Sequence, residues 1–195
     1  MTIAVYAQSE TEYRFNVGFR YSPIKNLKLY LMPELRVDAG GVDKALAEVE
    51  AKYAVLKILD MGVSYKAIFN FKNSGVTELS HRVAVYSEVE HKIKRFRPSL
   101  RAMFVNYDED EDASNFLRGR VKLEYNVRNV RIDPYVTAEL YYQLSDGNVY
   151  KMRYAVGTDW RISKHHAVGL EYKLDQYTNS DKIKHIVGLG YTFKF

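Results

Sequence analysis

Ser80 and His81 are adjacent, and a serine beside a histidine can make a nucleophile–base pair. Both lie where apolar and polar residues alternate. Neighbours in a strand point to opposite faces, so hydroxyl and imidazole do not meet there. His165, His166 and His185 are candidate metal ligands, but no ligand spacing accompanies them, and contacts at an interface suit them better. The run DEDEDAS, Asp108 to Ser114, supplies oxygens of the kind Ca²⁺ takes. It lacks the glycine and ligand order of an EF-hand and reads as a solvated loop. These residues specify no catalytic centre, metal or cofactor, and an enzyme is not the favoured reading.

A second set of charges is more regular. Glu34, Arg36, Glu48, Glu50, Arg101, Arg118, Arg120, Glu124, Glu139, Arg153 and Glu171 take every second place in segments whose other places are apolar. Lys52, Glu88, Glu90, Lys122, Arg161 and Lys173 share the pattern. Such a ladder can be a set of salt bridges that fills and stiffens a narrow interior, because long side chains leave a small barrel little free space. It can also be a charged constriction that selects solutes, with the cation surplus favouring anions. The structural role is the first reading and small-solute transport the second.

The elements that must position these charges are strands. In YRFNVGFRY, Tyr13, Phe15, Val17, Phe19 and Tyr21 alternate with Arg14, Asn16, Gly18 and Arg20. The period of two recurs from Leu27 to Val37 and through 45–53, 59–69, 83–89, 96–104, 117–125, 130–142, 150–160, 166–174 and 183–195. Sustained alternation means strands with one apolar and one polar face. DKALAEVEAKYAVLK carries helix-forming Ala and Glu, yet Val49, Ala51 and Tyr53 keep the strand period. The segments number eleven. Short connections such as SPIKN and ISKH follow the odd strands, and longer polar ones such as DAGGVD and LSDGN follow the even strands. This is the layout of an up-and-down antiparallel barrel.

Composition agrees. The chain has 195 residues, no Cys, 4 Pro and 17 Tyr, and its net charge is +5. No apolar run approaches the roughly 20 residues of a spanning helix. Lys and Arg are spread among acids rather than clustered, which argues against nucleic acid. Val5, Tyr6 and Ala7 before Gln8 fit a small-residue cleavage site, so residues 1–7 read as a signal-peptide remnant and 8–195 as one domain.

Alternation also fits a soluble lipocalin-like barrel with its apolar face inward. The aromatics decide between the two facings. On the apolar face, Tyr21, Tyr53, Phe96, Tyr125, Trp160 and Tyr191 lie towards the short turns. Tyr13, Phe69, Phe104, Tyr142, Tyr150 and Tyr172 lie towards the longer loops. Between them come aliphatic residues such as Val17, Leu31, Val49, Val121 and Val187. Two aromatic girdles around an aliphatic band match the two headgroup levels and the hydrocarbon of a bilayer.

PELRV, LRGRVKLEYN, DPYVTAELY, MRYAVGTDWRISKHHAVGLEYKL and IVGLGYTFKF together resemble a family of diderm outer-membrane β-barrels, domain of unknown function 2490. The resemblance runs from about Tyr13 onward. It implies an all-β transmembrane barrel with short periplasmic turns and longer outer loops, in the bacterial outer membrane; eleven segments, set against the even numbers of bacterial single-chain barrels, give an expectation of 10–12 strands. It also implies that the closing strand ending in Phe195 resembles the C-terminal signal read by the outer-membrane assembly machinery. The expected protein is a monomer whose partners are outer-membrane lipid and that machinery. Its alternatives are an outer-rim enzyme and a soluble ligand-binding barrel.

Overall fold

The computed structural model describes residues 9–71, 77–107 and 114–195. The cleavage-site motif and most of the acidic run, 108–113, lie outside them. Eleven strands follow one another: β1 Ser9–Ile24, β2 Leu27–Asp38, β3 Gly41–Ala54, β4 Leu59–Phe71, β5 Thr77–Glu90, β6 Phe96–Tyr107, β7 Ser114–Tyr125, β8 Ile132–Gln143, β9 Asn148–Arg161, β10 His166–Tyr177 and β11 Ile183–Lys194. They form one closed barrel in sequence order. The segment with helical propensity is β3, paired on both sides. Closure gives every strand two neighbours, so backbone groups at membrane depth are satisfied without water.

An odd number of strands forces one parallel contact. β1 runs beside β11 in parallel, from Ser9 opposite Ile183 to Arg20 opposite Lys194. On the inner face Arg14 stands opposite Gly188 and Asn16 opposite Gly190. A Cβ at Gly190 would lie 2.7 Å from Asn16 Oδ1, so glycine makes room for the asparagine. On the outer face Tyr13, Phe15, Val17 and Phe19 stand opposite Val187, Leu189, Tyr191 and Phe193. The alternation at the end of the chain therefore builds half of the closing seam.

The strands are 12–16 residues long. A tilted strand needs about 9–11 residues to cross the hydrocarbon, so these continue past it. They run into the polar segments that the sequence suggests as longer loops. Connections at both ends are consequently two to six residues long. The expected difference in length between the two ends is taken up by strand, because ladder pairing goes on where both faces are polar. β1 begins at one mouth and β11 ends at the other.

Facing follows the alternation. Val17, Leu31, Val49, Val63, Val85, Val121, Val136 and Leu170 are exposed on the outside. Arg14, Arg36, Lys66, Arg82, Glu88, Glu139, Lys151, Arg153 and Asp175 are buried inside. A soluble barrel has the reverse arrangement. A small apolar plug also occupies the lumen, where Ala84, Val105, Phe116 and Tyr141 are buried together with Met103 and Tyr150 against them.

Candidate functional site: a charged lumen

All eleven residues of the charge ladder project inward. Glu34 accepts from Arg36 Nε at 2.6 Å. Glu48 holds Lys66, its cross-strand neighbour, and Arg82 from β5, both at 3.0 Å. Glu50 accepts from the Tyr86 hydroxyl at 2.7 Å. Glu88 is a hub, with Lys52 at 2.8 Å, Arg101 at 2.9 Å and Arg120 at 3.2 Å. Glu124 joins Arg97 at 2.9 Å and Lys122 at 3.2 Å. Glu139 joins Arg118 at 3.0 Å, and Arg118 also donates to the Tyr141 hydroxyl at 2.7 Å. Glu171 holds Lys173 at 2.8 Å.

These contacts run along the wall. Their partners lie on one strand, on adjacent strands, or on strands separated by one other. The reason is the register. Glu48 and Lys66 are paired residues of β3 and β4, as are Glu88 and Arg101 of β5 and β6, and Arg153 and Asp175 of β9 and β10. Cross-strand neighbours stand about 5 Å apart, within reach of any long side chain. Cation–π contacts add to the lining, with Arg101 4.3 Å from the Tyr86 ring centroid and Lys122 4.1 Å from that of Tyr135.

Among the described residues, two polar cavities lie inside. One, of about 180 Å³, is lined by Arg118, Arg120, Lys122, Arg153 and Lys173, with Glu139, Glu171, Tyr135 and Thr137. The other, of about 120 Å³, lies among Arg14, Glu34, Asp159, Glu171, Lys173 and the glycines of β10 and β11. Tyr135, Glu171 and Lys173 border both. Each is below the roughly 300 Å³ at which small-molecule pockets begin. The larger hollows, of about 570 and 600 Å³, are lined chiefly by outward apolar side chains such as Val63, Val85, Val17 and Leu189. They belong to the apolar outer face and carry no chemistry.

The ladder as read from the sequence omits several interior charges. Glu12, Arg14, Lys66, Arg82, Lys151 and Asp175 are all buried. Parity alone would have found Asp175, two places after Lys173 and four after Glu171. Parity finds Lys151 as well, two places before Arg153; it stands at the edge of a register shift between β8 and β9, which falls between Tyr141 and Tyr142.

The same shift corrects one girdle residue. Tyr150 does not join the outer ring. A bulge adds one residue to one strand and breaks the alternation, and the Tyr150 ring packs 5.5 Å from Phe116 and 5.7 Å from Tyr177. The other nine, Tyr13, Tyr21, Phe96, Phe104, Tyr125, Tyr142, Trp160, Tyr172 and Tyr191, hold outward strand positions. Phe195 continues β11, its N–H donating to the Arg20 carbonyl at 3.0 Å.

Ser80 and His81 do not meet. Ser80 takes a hydrogen bond from Asn70, whereas His81 lies outside with Nδ1 2.6 Å from the Tyr65 hydroxyl. His166 and His185 are likewise tied to Tyr191 and Tyr172, at 2.5 and 2.6 Å, and His165 Nδ1 lies 2.7 Å from the Lys194 carbonyl oxygen.

A family model described as protein of unknown function (DUF2490) matches residues 5–186. The chain belongs to this family. No curated protein matches it significantly. Among solved structures, this DUF2490 chain is similar to a NanC porin, with a TM-score of 0.56 and 12% identity over 85% of each chain. At that identity the likeness shows the fold, a transmembrane β-barrel.

Proposed function

We propose that this DUF2490 protein is a monomeric barrel of the bacterial outer membrane whose lumen is a narrow, charge-lined passage leaning towards small anions. The observation that carries the reading is the lining of the larger interior cavity, five cations against two acids. Several partner acids, Glu88, Glu124 and Asp175, stand outside that lining. Cations are thus presented to the space while their counter-charges sit behind them. Such an arrangement holds an anion more readily than a cation. The ion pairs stiffen the wall and leave room for little more than a few waters, so the resting passage is nearly closed. The porin likeness supports a pore-type architecture without naming a solute.

Planar-bilayer recording of the purified barrel tests this. The expected result is a small current whose reversal potential in a salt gradient reports anion selectivity. A large or cation-selective current would overturn the reading. Cell fractionation tests the location, with recovery expected in outer-membrane pellets.

A further inference from the structure

The five connections at the mouth where β11 ends share a composition that the lumen does not require. Ile24 stands beside Lys25 at the first, and Leu56 beside Lys57 at the second. Ile93 sits between Lys92 and Lys94 at the third, Val130 beside Arg131 at the fourth, and Ile162 two places before Lys164 at the fifth. These five aliphatic side chains are 45–60% exposed. With Arg95 and Arg128, the connections hold eight cations, all exposed, and no acid.

None of the eight forms an ion pair among the described residues. The nearest acids are already held: Asp60 by Lys52 at 2.8 Å, Glu90 by Arg97 at 3.5 Å and Asp133 by Arg161 at 3.0 Å. At the opposite mouth, the described connections carry Asp146, Asp181 and Lys182, and Lys182 pairs with Glu10 at 3.2 Å. The charge difference therefore belongs to one end. Its turns are also well held. Ile93 and Phe96 exchange backbone hydrogen bonds of 2.8 and 2.9 Å, which leaves Lys94 and Arg95 at the tip. Lys94 has φ 56°, as a tight turn requires.

A turn that met only water would have no use for a large aliphatic side chain in each of five places. A turn resting in a leaflet would. Just inward along the strands come Tyr21, Phe96, Tyr125 and Trp160, rings of the kind that settle at headgroup depth. A cation beyond that level reaches lipid phosphate, and an aliphatic neighbour reaches the acyl boundary. A soluble polyanion would satisfy the cations and leave the aliphatic side chains wet.

We propose that these five turns form a ring that binds anionic phospholipid headgroups of the leaflet at this mouth. Each turn seats its aliphatic side chain at the acyl boundary and holds a headgroup phosphate with its lysine or arginine. The inference rests on the membrane-barrel reading but not on what the lumen does.

The whole chain would be refolded into phosphatidylcholine vesicles with and without phosphatidylglycerol. Insertion is read first by heat-modifiable gel mobility. Boundary-lipid selectivity is then read with spin-labelled phosphatidylglycerol and phosphatidylcholine. We expect insertion into both vesicles and an enrichment of phosphatidylglycerol of about fivefold at contacting sites, reduced by salt. A variant with Lys57→Gln, Lys92→Gln, Lys94→Gln and Lys164→Gln should lose most of the enrichment, while Asp146→Asn with Asp181→Asn keeps it. Failure to enter either vesicle would overturn the membrane reading and the ring with it. Insertion without a phosphatidylglycerol preference in the unaltered barrel would overturn the ring alone, whether or not the variant folds. So would an unchanged preference in the fourfold variant, or binding of RNA or an acidic peptide in detergent without any lipid preference.

Discussion

Arg153 grips Asp175 with two parallel hydrogen bonds, Nε to Oδ1 and Nη2 to Oδ2, each 2.5 Å long. They are paired residues of β9 and β10, and the Asp175 side chain is wholly removed from solvent. Lys151 lies 3.7 Å from the same carboxylate. Fork-to-fork pairing is the strongest geometry an arginine and a carboxylate can adopt. Truncating the arginine leaves a buried carboxylate with a more distant cation. Arg153→Ala should therefore destabilise the barrel by about 3–5 kcal/mol. Urea unfolding of vesicle-refolded protein measures it, and Arg153→Lys should recover only part of the loss because an ammonium lacks the planar fork that makes the two bonds parallel.

The outer face gives a second expectation. Val121 is 56% exposed among aliphatic neighbours. Val121→Arg should cost roughly 2–4 kcal/mol near the bilayer midplane. Asn126 is different, since it is near a turn and its amide donates to Asp133 at 2.7 Å. Asn126→Arg keeps a donor there and should be mild. Equal effects of the two in refolding titrations would contradict the facing.

Gly157 faces inward beneath Tyr135. A Cβ there would lie 2.6 Å from that ring and 2.9 Å from the Leu170 carbonyl oxygen. The ring can swing away but the strand cannot. Gly157→Ala should destabilise by about 1–3 kcal/mol through overpacking. Thermal unfolding would show it, and the paired change Gly157→Ala with Tyr135→Ala should remain less stable than Tyr135→Ala alone.

The Phe195 ring stands edge-on to Tyr21, with centroids 6.4 Å apart, and edge-on to Phe193 at 4.8 Å. It is 71% exposed, so its removal takes away little burial. Deleting Phe195 should leave refolding into vesicles nearly intact while lowering insertion in cells several-fold. That difference is what a recognition signal in the closing strand would entail. Equal losses in the two assays would argue for a purely structural ring.

Much of this architecture is local enough to read without coordinates. A period of two needs only neighbouring residues, so the strands and their two faces follow from the order of side chains, and the two aromatic girdles then turn Arg118, Arg120 and Glu124 inward. Tyr86, Phe116, Tyr135 and Tyr141 were harder, because an aromatic ring on the inner face has the composition of an outer one. Only its parity against Glu88, Arg118 or Glu139 tells them apart.

By itself, then, the sequence determined a barrel of 10–12 strands with charge inside and apolar side chains outside, and the structure made the number eleven. Tertiary structure decided how that barrel closes and which charges meet. The parallel seam depends on β1 and β11 coming together after ten turns of chain, and no local pattern encodes that meeting. Arg153 finds Asp175, and Glu88 gathers three cations, because register sets partners between segments distant in sequence. A single bulge turned Tyr150 inward, beside Lys151, which keeps the alternation of Arg153. Alternation states which face a residue takes, whereas pairing is a property of the closed ladder as a whole.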